Sequence, residues 1–404
     1  MSLEPVSLAG AKILVTGPTG QVAKPLSLAL AKEATVYGLA RFSNQAAKAE
    51  LEAGGVRCIT GDLAAGAFDD VPTDIDYVLN LAIAKTRSWD GDLSANVEGL
   101  GLLMSRLRGA KGLLHCSSTA VYQPNGHRRF VETDPLGDNH RVPAMEAFMP
   151  TYSINKIAAE AMARYVAREH GIPTIIARLN VPYGDNGGWP WMHMEQVLAG
   201  QPIAVHPDAP SEYNLLHEDD IIATVPKLLA AATVPATIVN WGGDETSSIE
   251  EWSTYIGELA GKEATFVHTT DVLESVAVDL TKMHEITGPT SVAWREESLV
   301  PLFAHASCAF ERAVMHGRAR VAALGGRVVG SEPRVDAFGD QKREMTLGPP
   351  LGLHASSPVE RRRGVRRVGA SREGALAVVD VRSLDVAHPT RDFVVRDRDI
   401  RGGV

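Results

Sequence analysis

Through roughly the first 240 residues, apolar positions alternate between short unbroken runs and longer stretches in which they recur every three to four residues. The runs KILVTG, ATVYGLA, VRCITG, DYVLNLA, GLLHCSS, PTIIARL and ATIVNWG show little polar alternation, the pattern of strands covered on both faces. Between them, VAKPLSLALAKE, NVEGLGLLMSRLRG and INKIAAEAMARYVAREHG keep a helical period. The last stops at Gly171 with Pro173 beyond it, a C-terminal helix signal. Strand and helix in regular turn predict an α/β fold with a doubly wound parallel sheet of the Rossmann type. From about residue 185 the rhythm loosens into loops rich in Gly, Pro and Trp, followed by two further strand-like runs, ATFVHTT and LTKMHEITG. The expected organisation is a dinucleotide-binding domain over 1–178, its sheet completed by about 212–242. A smaller substrate-binding portion is expected from 179–211 and 243–300.

Charge adds a third region. The chain of 404 residues has a net charge of −9, yet residues 311–404 carry 18 basic against 12 acidic side chains, and every basic one except Lys342 is arginine. With the stretch GPPLGLHASSPVERRRGVRRVGASREG inside it, 301–404 reads as a basic tail of low order. No aromatic residues interleave that stretch to stack bases, so nucleic acid is not an expected partner. No apolar run approaches the length of a membrane span, and the start MSLEPVSLAGAK lacks a secretory pattern, which together predict a cytoplasmic location. Cys58, Cys116 and Cys308 are too far apart for a zinc motif or a disulfide framework, and no metal site is expected.

The first candidate chemistry follows the first strand. Thr16-Gly-Pro-Thr-Gly-Gln-Val-Ala23 is a glycine-rich loop opening a helix, where Gly17 and Gly20 let backbone N–H groups near Thr19, Gln21 and Val22 approach a pyrophosphate. The second strand ends in YGLARFSN without an acid, so the ribose 2′-hydroxyl of NAD has no carboxylate partner. Arg41 suits the 2′-phosphate of NADP instead, with Lys24 as a further charge nearby. NADP is the expected cofactor, with NAD possible.

These segments, taken with others further along, resemble the extended short-chain dehydrogenase/reductase family, the group that includes NAD-dependent epimerases and dehydratases. The likeness covers about residues 11–300. TGPTGQVA stands for the glycine motif, with Ala23 in place of its last glycine. Asp62 and Leu63 match the adenine contact, and NLAIA, with Leu81 and Ala82, matches the segment lining the cofactor. Asn96 matches the family asparagine, CSSTAVY supplies Ser118, and YSINK supplies Tyr152 and Lys156. ARLNVPYG, LLHEDDI and VNWGGDETSSIEEW follow as later landmarks. The resemblance implies hydride transfer on a hydroxyl/carbonyl pair of a small organic substrate, and a homodimer. Tyr152 would pass the proton, Lys156 would hold the nicotinamide ribose and Ser118 the reacting oxygen. Tyr152 and Lys156 are one helical turn apart and share a face, and an ammonium there favours the anionic form of a phenol.

Two departures bear on the substrate. Val181 stands where nucleotide-sugar members carry asparagine, and Tyr213 where an arginine commonly grips the diphosphate. An apolar or aromatic carbonyl compound is expected instead, held by Lys85, Thr119, Tyr183, Trp189, Trp191 and Tyr213. The rival readings are a sugar or nucleotide-sugar epimerase or dehydratase with retained NAD, served by Arg87 or Arg128, and a non-catalytic NADP-sensing protein.

Overall fold

The computed structural model describes residues 4–295; the expected basic tail lies outside the described residues. In chain order the elements begin β1 (Lys12–Thr16), α1 (Ala23–Leu30), β2 (Thr35–Ala40), α2 (Gln45–Ala53), β3 (Arg57–Thr60) and β4 (Tyr77–Asn80). They continue with α3 (Trp89–Leu93), α4 (Gly99–Arg106), β5 (Gly112–Ser118), α5 (Pro143–Phe148), α6 (Tyr152–His170) and β6 (Thr174–Leu179). Next come β7 (Val181–Gly184), β8 (Gly187–Gly188), α7 (Trp189–Ala199), β9 (Ile203–Val205), β10 (Glu212–His217), α8 (Glu218–Ala230) and β11 (Thr237–Trp241). The last are β12 (Thr246–Ser248), α9 (Ile249–Ala260), β13 (Phe266–His268) and α10 (Thr281–Thr287).

Seven strands form one parallel sheet in the order β11-β6-β5-β4-β1-β2-β3. Side chains alternate between two apolar layers, as a strand's period of two requires. Ile13, Val15, Leu79, Leu114 and Ile175 face one layer, where Leu26 of α1 and Val225 and Leu228 of α8 pack. Leu14, Val78, Leu113 and Ile176 face the other, against Leu100 and Leu103 of α4 and Ala163 and Val166 of α6. The strand order reverses direction between β1 and β4, and a doubly wound sheet opens a crevice at that switch point, beyond the carboxyl ends of its strands.

A second sheet, β12-β10-β7-β8, and a parallel pair, β13-β9, build the rest. Residues 212–242 therefore divide: β11 extends the large sheet beside β6, whereas β10 pairs with β7, Leu215 opposite Val181. LTKMHEITG, read above as strand-like, is the helix α10; Met283, Ile286 and Thr287 recur at helical spacing and are buried. No helix among the described residues is long and apolar enough to cross a membrane, and no cluster there could hold a metal ion.

Candidate active site

At the switch point, the loop after β1 meets the segment after β4. Gly17 adopts φ +65, and a Cβ there would stand 2.9 Å from the Ala82 Cα, so only glycine lets the two backbones come together. Thr16 fixes the other side of the crevice: its hydroxyl oxygen accepts from the Leu81 and Ala82 N–H groups at 3.1 and 3.0 Å and donates to Asn80 Oδ1 at 2.8 Å. Thr19 lies in the turn after Gly17, Gly20 closes it by donating to the Gly17 carbonyl, and Val22 precedes the first turn of α1. Gln21 donates to the Pro182 carbonyl at 2.9 Å, while Asn186 donates back to the Gln21 carbonyl at 2.9 Å. The β7–β8 hairpin is thereby held against the glycine loop. Small residues at the close approach and free loop backbone fit a dinucleotide in this crevice.

Arg41 is exposed just past β2, at the position where an adenosine ribose would lie in such a fold. Lys24 is drawn away into an ion pair with Glu50 at 2.7 Å. Asp62 accepts from the Ala64 N–H at 2.9 Å, and Leu63 packs so tightly on α4 that a Cβ on Gly99 would lie 2.7 Å from its carbonyl oxygen. Asn96 sits in a π-helical turn, Ser94–Glu98, between α3 and α4, and its amide closes on Ala84 through N–H and C=O alike at 2.6 and 3.0 Å. Just before this turn, the buried Asp92 accepts from Thr86 and from the Thr151 hydroxyl, tying the loop after β4 to the start of α6.

Tyr152 is the first residue of α6, so its phenol stands at the sheet's carboxyl edge rather than within the core. Lys156, one turn on, is 4% exposed, and its Nζ donates to the Cys116 carbonyl at 2.7 Å and stands 5.8 Å from the centre of the Tyr152 ring. That bond uses one of three ammonium donors. Ser118 ends β5 two residues beyond Cys116, its hydroxyl accepting from the Ala120 N–H at 3.2 Å. Lys85 brings a second ammonium 5.8 Å from the Tyr152 ring, and enclosure by the cleft, then the charge of Lys156, hold it below its usual range. Ala84, Lys85, Arg87 and Asp92 form one wall of this narrow cleft, and Phe148 to Tyr152 the other.

Residues that the sequence pattern does not single out complete the surroundings. His140 stacks on Tyr152, centroids 5.0 Å apart and planes 18° from parallel. Burial, then the charge of Lys85, push its imidazole down to about 4, so it is neutral at pH 7. Its neighbour Asn139 donates to the Thr119 carbonyl at 3.4 Å. Behind the site, Arg178 of β6 forks onto Glu160 of α6 through two bonds of 2.9 and 2.8 Å, and Ser117 donates to the same carboxylate at 2.6 Å. The Arg178 guanidinium also covers the Tyr122 ring at 4.9 Å, and the Tyr122 hydroxyl donates to Asn240 Oδ1 at 2.5 Å. The pair locks α6 to β5 and β6 one turn past Lys156.

The remaining expected substrate residues stand apart from this cleft. Trp189 packs edge-on against Tyr213 at 5.2 Å, and His193 stacks on Trp252 at 5.7 Å while accepting from its indole N–H at 2.9 Å. Tyr213 is buried and gives its hydroxyl to the Glu274 carbonyl at 2.9 Å. Tyr183 is buried with its edge toward His217, and Trp191 is half-buried against the main apolar layer. These aromatics bind α7 to α9 and the second sheet. A cavity of about 320 Å³ lies between the loop that includes Pro124, Phe130, Asn139 and Val142 and the segment Thr270–Val276. The two arginines considered for a diphosphate are engaged: Arg87 donates to the Ala147 carbonyl at 2.8 Å and Arg128 pairs with Asp134 at 2.9 Å.

Similarity to known proteins agrees with this architecture. Over 210 residues the chain is 24% identical to the low-salt glycan biosynthesis protein Agl12 of Haloferax volcanii, a match spanning 48% of this chain and 63% of that relative. The UDP-glucuronic acid 4-epimerase of Bacillus cereus, solved with UDP-glucuronic acid and NAD, superposes with a TM-score of 0.61 at 20% identity, covering 73% of this chain and 98% of that one. The dTDP-glucose 4,6-dehydratase of Bacillus anthracis, solved with NAD, gives a TM-score of 0.61 at 20% identity, covering 74% and 97%. Residues 13–242, more than half of the chain, match the sequence profile of the NAD dependent epimerase/dehydratase family, and the chain belongs to that family.

Proposed function

We propose that the cleft at Tyr152 carries out nicotinamide-dependent redox chemistry at a secondary hydroxyl of a small, sugar-like substrate. The observation that carries this reading is the joint placement of Tyr152, Lys156 and Ser118 at the carboxyl edge of the sheet whose switch point holds the Gly17 loop. A nicotinamide bound there would supply the site that accepts and returns a hydride. The chain's own residues do the rest. Two ammoniums near the phenol, those of Lys156 and Lys85, favour negative charge on its oxygen, so Tyr152 takes the substrate's hydroxyl proton and gives it back. Ser118 holds the reacting oxygen by a hydrogen bond, and the two remaining donors of Lys156 suit ribose hydroxyls.

The family match and the epimerase and dehydratase relatives support a retained cofactor over one exchanged at each turnover. The contacts at Gln21 and Asn186 support the same form, because they hold the β7–β8 hairpin against the glycine loop that would carry the dinucleotide. Denaturing the purified protein is therefore expected to free a stoichiometric nicotinamide nucleotide. Protein that purifies empty and consumes free NADPH with a carbonyl substrate would return the reading to a simple reductase.

Arg41, exposed where β2 ends without an acid, supports acceptance of a 2′-phosphate. Loss of one charge-assisted contact predicts that Arg41→Ala weakens NADPH binding by about tenfold and leaves NADH binding unchanged. Fluorescence titration of the two reduced nucleotides into protein stripped of its bound nucleotide reads this, and equal effects on both would remove Arg41 from the cofactor site.

A further inference from the structure

The cavity of about 320 Å³ is at the small end of ordinary ligand pockets. Asn139 lines it, and the next residue along the chain, His140, stacks on Tyr152. Its wall is mostly apolar, with Phe130, Val142, Leu273 and Val276, and no lysine or arginine lines it. The ionisable groups on the wall are His206, whose Nδ1 accepts from the Asp208 N–H at 3.1 Å, and Glu274, whose carboxylate accepts from the Gly126 N–H at 3.2 Å. A diphosphate would meet a carboxylate here and no cation. Tyr213, behind this wall, brings only a hydroxyl already given to the Glu274 carbonyl. One polar atom is left over: Asn139 Oδ1 is buried and has no hydrogen-bond partner. A buried acceptor in that state is costly, and a donor on a bound group would satisfy it.

We propose that this cavity receives the non-reacting end of the substrate and selects a neutral, largely apolar group bearing one hydrogen-bond donor, in place of a nucleoside diphosphate. The proposal rests on the reading of Tyr152 as the reacting centre, and it names the substrate class of that site. The test is calorimetric titration of the full chain with 4-(4-hydroxyphenyl)butan-2-ol, whose phenol supplies the donor at the end away from the reacting alcohol, and, separately, with UDP, repeated on Val142→Phe and Asn139→Leu. Val142→Phe fills the cavity from a half-buried loop position, and Asn139→Leu removes the unpartnered acceptor. The expected result is saturable binding of the alcohol, weakened at least about tenfold in each variant, with no saturable binding of UDP. Nicotinamide nucleotide binding, measured on the same samples, is expected to be unchanged and reports that the variants are folded. Saturable UDP binding that Val142→Phe removes would overturn the proposal, as would absent alcohol binding or alcohol binding indifferent to Val142→Phe. A Tyr152→Phe protein that binds the alcohol normally but has undiminished turnover would defeat the reaction assignment and leave the cavity assignment standing.

Discussion

Replacing Tyr152 with phenylalanine is expected to slow turnover by about 10²–10⁴-fold, the usual contribution of a positioned proton-transfer group, while leaving nicotinamide nucleotide binding intact. The substitution is narrow. A phenyl ring keeps the stack on His140 and the approach of both ammoniums, and only the hydroxyl is lost. Lys156→Met should behave differently, losing turnover together with nucleotide affinity, because the ammonium faces both the phenol and the ribose in the proposed arrangement. Turnover and nucleotide titration on the two variants separate these roles. Turnover of Tyr152→Phe within about tenfold of the original would show that the proton passes elsewhere.

The second large effect is on stability. Arg178 and Glu160 have side chains only 2% and 4% exposed, joined by a two-bond fork, so Arg178→Met leaves a carboxylate buried without its cation. Breaking such a pair costs about 3–5 kcal/mol, whereas replacing both partners by apolar residues is often close to neutral. Arg178→Met alone should therefore lower the urea midpoint sharply, and adding Glu160→Leu should recover much of the loss. A single variant destabilised by less than about 1 kcal/mol would mean that Ser117 and water satisfy the carboxylate without the arginine.

The large sheet was legible because a strand covered on both faces must be apolar at successive positions, as Ile13, Leu14 and Val15 are. The spacing of Tyr152 and Lys156 was legible for a similarly local reason, since four positions along α6 return to the same face. What escaped the sequence depends on residues distant along the chain. Nothing within the run EYNLLH states that β10 pairs with β7 rather than with the large sheet. The stretch GGWPWMHM has a composition that suits a pocket or a packed interface, and the choice was made by Tyr213 and Trp252, which lie far downstream and occupy the aromatic faces. The cavity draws its wall from Pro124, Asn139, His206 and Thr270–Val276, segments that share no period and meet only through the fold. His140 gave no signal at all, because a stacking partner supplied by a loop leaves no spacing to detect.

The π-helical turn at Ser94–Glu98 fits one residue more than an α-helix would over the same turn. That surplus residue uncouples the two halves of the helical segment in angle. Shortening the turn by one residue would rotate what precedes it by about 100° relative to α4. Asp92 would swing off Thr86 and Thr151, and Asn96 off Ala84, while Leu100, Leu103 and Met104 stayed seated against the sheet. A single-codon change in length at this place thus re-aims the loop beside Tyr152 while the apolar layer under α4 keeps its place.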